Sequence, residues 1–330
     1  MAVQSTDIKA YRSATLNDTS SNGGRMSSTQ EVSGSSNSLW PDVPESERTA
    51  GSTKYRKLFH KVEASSNSPL YNTRIGLMSP TPGDDKLVLF AGTQTDTQGQ
   101  ISNPTLYGAG LLHTTVNAGA SQLAVQVEDG TQILYRDSSL LRVSDKTSIT
   151  DPNGNEEFVH ITGTPSVVGS IVTMNLSSQL QHGYADTVTY VSSLIEVGTL
   201  QTALSNVVVT SSNGTFTSAN VGLYNVGGVY QLWTVTFTSA TNYNVAGDVI
   251  GSVGNGNISS TFSPTNSAFG TPYFSLYSTV WGGTFATNDT VTFITSPAAT
   301  AVWERRIVPA GAGSIQSQTR TLMIFGESGA

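Results

Sequence analysis

The 330-residue chain is long enough for two or three cores, so its size sets no obstacle to folding. Only 12% of residues are charged, against roughly 25% in an average soluble protein, and the net charge of −7 argues against nucleic acid as a general partner. With no cysteine, a disulfide framework and a thiolate metal site are both excluded.

Residues 1–50 read as an extended N-terminal arm. Runs such as Thr19 to Gly24 and Ser33 to Ser38 lack apolar periodicity, while Ile8, Tyr11, Leu16, Met26, Val32, Leu39 and Trp40 are spaced like anchors onto a sheet or a neighbouring subunit. Met1 to Lys9 contains no apolar run of signal-peptide type, and no stretch approaches the length of a membrane span. Membrane insertion is therefore not expected.

Residues 51–110 form an N-terminal β region. Arg48, Lys54, Arg56, Lys57, His60 and Lys61 crowd one segment, the only dense basic cluster in the chain. Arg48, Lys54, Arg56, Lys57 and Lys61 are candidates for contact with DNA or an acidic partner surface; a strand with Tyr55 and Phe59 pointing inward is the alternative. Strands follow around Arg74 to Met78 and Lys86 to Phe90, joined by a turn carrying Pro80, Pro82 and Gly83.

Residues 111–197 read as a barrel-like domain. Gln122 to Glu128 alternates with period two, and Asp129-Gly130 supplies a hairpin turn before Ile133 to Tyr135. Further strands around Leu141 to Val143, Phe158 to Ile161 and Ile171 to Leu176 recur at the spacing of small barrels and sandwiches. Asp151 to Glu157 imitates the start of a calcium loop but has Glu156 where the sharp turn needs glycine, so it reads as an acidic hairpin loop.

Residues 198–330 read as a C-terminal β-sandwich. Between Gln201 and Thr300 only Asp248 and Asp289 are charged. Uncharged sheet edges invite pairing with other chains, and charge is depleted at interface cores, so this unit is expected to be covered by other subunits. Trp233, Tyr273 and Trp281, set among Asn and Thr, are candidates for glycan stacking or for core packing. Overall the chain reads as all-β: two or three small sandwich or barrel domains behind an extended arm.

Chemistry is sparse. His60, His113, His160 and His182 lie in different contexts without a nucleophile, and no phosphate-cradling glycine motif occurs. Asp248 and Asp289 are the one carboxylate pair a depolymerase could use, and both sit in turn-like sequence. No enzymatic activity, cofactor or metal is expected.

Two regions carry a resemblance. Asn22-Gly-Gly24, Ser38 to Val43, Glu47 to Gly51 and Tyr55-Arg-Lys57, with Phe293 to Ala298 and Trp303 to Ala312 near the other end, resemble uncharacterised structural proteins of the virions of tailed bacteriophages and Mu-like prophages. The resemblance implies a part of the virion without saying which; the charge-poor β-domains and the anchor-studded arm point to a homo-oligomer, made in the host cytoplasm, that contacts tail, neck or capsid proteins. The head-to-tail junction is the leading position, with a capsid decoration protein and a receptor- or glycan-binding tail module as alternatives.

Overall fold

The computed structural model describes residues 2–128, 131–315 and 319–329. It is nearly all β, and Glu45–Ala50 is the one α-helix among these residues. That helix is too short to show a sequence period: Pro44 precedes it, and Gly51, at φ 78°, ends it.

The two ends of the chain build one body. A five-stranded antiparallel sheet has the order Gly23–Glu31, Ile8–Thr15, Ser52–Val62, Ala299–Val308, Lys86–Ala91. Ala299–Val308 pairs with Ser52–Val62 without a break, from Ala299 opposite Lys61 to Val308 opposite Ser52. A three-stranded sheet, Ile195–Leu200, Leu70–Leu77 and Leu322–Ser328, packs on one face through Ile75, Leu77 and Ile195 against Leu87, Leu89 and Val302.

Two insertions interrupt this body. The first is a closed six-stranded barrel in the order Ile171–Leu176, Gln122–Gln126, Ala109–Leu112, Tyr190–Ser193, Leu140–Ser144, Glu156–Val168. Alternation drives it: Leu123 and Val125 face inward with Val143, Val159, Val172 and Met174, and this core continues into Val88, Phe90 and Trp303 of the five-stranded sheet. The expected turn Asp129-Gly130 lies outside the described residues. Ile133, expected in a strand, sits in the short 3-10 helix Gln132–Leu134.

The second insertion has its own five-stranded sheet in the order Ala203–Thr210, Thr290–Ser296, Gln231–Phe237, Asn242–Gly247, Gly251–Asn257. Trp233, Val235, Phe237, Tyr243, Val245, Val291 and Phe293 bury its inner face against Phe274, Leu276 and Phe285.

Two expected boundaries change. Residues 8–31 are not an extended arm but a strand pair of the body, Ile8–Thr15 with Gly23–Glu31, and the Ser/Asn/Gly run is its turn region. Gly23, at φ 106°, lies where a Cβ would come within 2.7 Å of the Trp303 ring, so the glycine serves both the turn and the packing of that indole. The C-terminal sandwich closes at Ser296, and Ala299–Val308 and Leu322–Ser328 return to the body. A period-two pattern identifies a strand but does not say which sheet it joins.

Candidate functional site

The basic segment occupies the central strand of the body. Strand Ser52–Val62 has hydrogen-bonded neighbours on both edges and packed layers on both faces, leaving no solvated side from Arg56 onward. Lys57 and Lys61 are fully buried and Arg56 nearly so. A buried cation must find compensating partners, and each of these does.

Lys57 Nζ lies 2.7 Å from Asp96 Oδ1 and donates to the carbonyls of Gly24 at 2.7 Å and Asp96 at 3.0 Å. Asp96 Oδ2 accepts from Trp303 Nε1 at 2.8 Å. Burial pushes the Lys57 ammonium below its ordinary value despite Asp96. Burial by itself would raise the Asp96 carboxyl, but hydrogen bonds from Lys57 and Trp303 hold it below the usual carboxylate range.

Arg56 donates to Asp18 Oδ1 at 2.6 Å and to the Leu39 carbonyl at 3.1 Å, and Lys54 bridges Glu47 at 2.6 Å and Asp18 at 2.9 Å. Lys61 donates to the Val226 carbonyl of the second insertion, lies 3.1 Å from Glu63 and sits 3.7 Å from the centre of the Phe269 ring. Its desolvation lowers it to about 8. Arg48, half-buried on the helix, shows no ion pair among the described residues. The reading of Arg56, Lys57 and Lys61 as contacts for DNA or an acidic partner is therefore corrected: they are internal.

A second buried charge lies beneath them. Glu304, fully buried, accepts from Trp40 Nε1 at 2.6 Å and from Arg320 at 2.7 and 2.8 Å. His60 is buried nearby, and neither of its ring nitrogens finds a partner among the described residues. Burial lowers the imidazole to about 4, against the opposing pull of Glu304.

The three aromatic candidates for glycan contact are packing residues. Trp233 is fully buried, with Nε1 on Thr295 Oγ1 at 2.8 Å and its ring 4.9 Å from Phe274. Tyr273 packs 5.3 Å from Trp233, and Trp281 packs among Phe216, Phe237, Tyr243 and Phe285. Alternation along Gln231–Phe237 sends the Trp233 ring inward, so it cannot present a stacking platform, while Tyr273 and Trp281, on other segments, pack against these rings and stay half-buried.

Asp248 and Asp289 are far apart. The Asp248 N–H donates to the Leu232 carbonyl, while the Phe237 N–H donates to the Asp289 carbonyl, so the two stand at opposite ends of one strand. Five residues of strand separate them by about 17 Å, too far for a carboxylate pair, which needs roughly 5 to 9.5 Å. Each is engaged elsewhere. Arg25 of the body clasps Asp248 at 2.9 and 2.5 Å and holds it below the usual carboxylate range, and Asp289 accepts from Ser211 Oγ at 2.5 Å and the Ala286 N–H at 2.8 Å.

Between these two carboxylates at its ends, the strand rows on the outer face of the second insertion's sheet contain no ionisable side chain. One row crosses all five strands: Thr210 opposite Thr290, Thr290 opposite Thr236, Thr236 opposite Asn244, Asn244 opposite Asn255. The next row is Val208, Thr292, Thr234, Ala246 and Ser252. Toward the Asp248 end the surface turns apolar, where Leu232 and Ile250 are exposed and Val249 is 69% exposed.

At the opposite end, a surface cavity of about 450 Å³ is lined by Asn242, Asn244, Asn255 and Asn257 together with Ser260 and Phe262. The sequence signal for this end is the pair of Asn-x-Asn repeats, Asn242-Tyr-Asn244 and Asn255-Gly-Asn257, which strand register brings face to face.

The Asp151 loop holds its own backbone: the carboxylate accepts from Thr147 N, Thr147 Oγ1 and Asn153 N, and these bonds lower it to about 2. No group of three or more acidic or histidine side chains suited to a metal ion occurs among the described residues. No helix among them is long and apolar enough to cross a membrane. The chain matches no family model, no curated protein and no solved structure.

Proposed function

We propose that the chain is a structural component of a tailed-phage virion, working as a homo-oligomer in the neck or tail near the head-to-tail junction. One observation carries the assembly part of this reading. The second insertion has two carboxylates, one clasped by Arg25 and one capping its own loop, and its apolar residues Val208, Leu232, Val249 and Ile250 remain exposed.

The apolar end of this sheet, around Leu232, Val249 and Ile250, is a poor surface for an isolated protein and a good one for a subunit contact. Copies of a chain with net charge −7 repel one another least through a unit that contributes only two of those charges. The virion part of the reading rests on the resemblance of the two chain ends to phage structural proteins, and those ends interleave in one sheet.

Peptide mass spectrometry of purified tailed particles, followed by cryo-electron microscopy, tests the proposal. The expected result is peptides from this chain in the particles and a ring of its density at the junction. Peptides found in the lysate and missing from purified particles would overturn it.

A further inference from the structure

We propose that the asparagine-lined cavity at the far end of the second insertion binds a neutral glycan. The site is separate from the apolar end assigned above to subunit contact, and it stands or falls independently of the virion reading.

Charge favours a neutral ligand. No ionisable group lines the cavity apart from the buried phenol of Tyr243, and the insertion's two carboxylates are bound elsewhere. An anionic ligand would find no cation, and a cationic one no carboxylate.

Hydrogen-bonding capacity favours a sugar. Each carboxamide offers both donors and an acceptor, as sugar hydroxyls require. Asn257 Nδ2 donates to Asn242 Oδ1 at 2.8 Å, which fixes the outer pair. Asn244 and Asn255, the adjacent cross-strand pair, make no side-chain hydrogen bond within the described residues, and both are exposed. Two exposed amides, committed to no partner within the described residues, therefore stand beside a fixed pair, free to bond a ligand's hydroxyls.

Shape points the same way. The volume of about 450 Å³ falls within the range of small-ligand sites. Phe262, half-buried at the rim and held edge-on to Tyr243 at 6.0 Å, supplies an apolar surface for the carbon face of a sugar ring. From Asn255 the Thr/Asn row runs on across the sheet for about 19 Å, long enough to guide an extended chain of several sugars.

The test uses the full chain on a printed array of neutral oligosaccharides of glucose, galactose, mannose and N-acetylglucosamine, with sialylated and sulfated glycans alongside. Hits are then titrated by calorimetry against wild type and the Asn244→Ala/Asn255→Ala double variant. Expected is binding to neutral members, weakened at least tenfold in the double variant, whose melting temperature stays that of wild type because both side chains are exposed. Asn244→Asp, which adds a charge without changing shape, should weaken binding similarly. The proposal is overturned by no binding to any neutral member, by a preference for the acidic glycans, or by neutral binding that survives the double substitution.

Discussion

The body and the second insertion each rest on a five-stranded antiparallel sheet, yet they handle charge in opposite ways. The body's sheet encloses Lys57, Lys61, Arg56 and Glu304, each matched by partners brought from loops or from the second insertion itself. The second insertion's sheet buries aromatic rings on one face and shows hydroxyls, amides and short aliphatic groups on the other. The contrast follows from layering. A strand covered on both faces must either lose its charges or pair them internally, whereas a sheet with one open face can stay neutral and leave that face for contact.

Breaking a buried pair in the body is expected to have the largest effect. Lys57→Met removes the ammonium and leaves Asp96 with Trp303 and its loop amides but without a counter-charge, at a cost of about 3–5 kcal/mol. Adding Asp96→Asn should recover part of that, since the amide oxygen still accepts from Trp303 while its NH2 replaces the oxygen that accepted from the Thr93 N–H. Urea unfolding of the single and double variants checks this, and equal midpoints for the two would mean that the lost charge is not the cause. In the second insertion Trp233→Ala should cost a comparable amount, about 3–5 kcal/mol, through its cavity, and its cost should be insensitive to salt and pH.

The next effect is the pH dependence contributed by His60 of the body. The His60 imidazole is lowered from 6.5 to about 4 in the folded state, so as pH falls the unfolded chain takes up this proton first. Stability contributed by the neutral ring is intact above pH 6.5 and is lost as pH falls through about 4, a loss of up to about 3 kcal/mol. The charged groups facing it are Glu304 and Arg320. His60→Leu should flatten the decline of the unfolding midpoint between these limits relative to wild type; parallel pH profiles for the two proteins would remove His60 as the source.

How far the sequence discloses this molecule differs between the same two regions. The barrel and the inner face of the second insertion are legible because their signals are local: Gln122 to Gln126 and Gln231 to Phe237 alternate, and alternation fixes which side chains turn inward. The body is not, because its signals are distant. Lys57 looks exposed until Asp96 and Gly24 arrive from other segments, and Trp303 reaches its place only when a strand from the far end pairs with Ser52–Val62. The arm misleads for the same reason, since Ile8–Thr15 buries only Tyr11 and Ser13 and so shows little apolar period. At the outer face the Thr-x-Thr and Asn-x-Asn repeats are visible in the chain, but only the register shows that they form one row.

The smallest expected effect lies where the two regions meet. Arg25 of the body grips Asp248 of the second insertion bidentately and lies 5.2 Å from the centre of the Tyr230 ring, but both charged side chains remain partly exposed. Solvent screening limits such a pair to about 1 kcal/mol or less, so Arg25→Ala should barely move the global unfolding midpoint. Its effect should be local. Hydrogen exchange should quicken at the Leu232 and Asp248 amides, where the freed carboxylate no longer holds the turn, while the Trp233 to Phe237 ladder stays protected. The acceleration should shrink at high salt, which already weakens the wild-type pair. If exchange instead rose across the whole sheet of the insertion, the arginine would be supporting the fold of that unit rather than tethering it to the body, and the division into a charge-paired body and a self-sufficient neutral insertion would have to be redrawn.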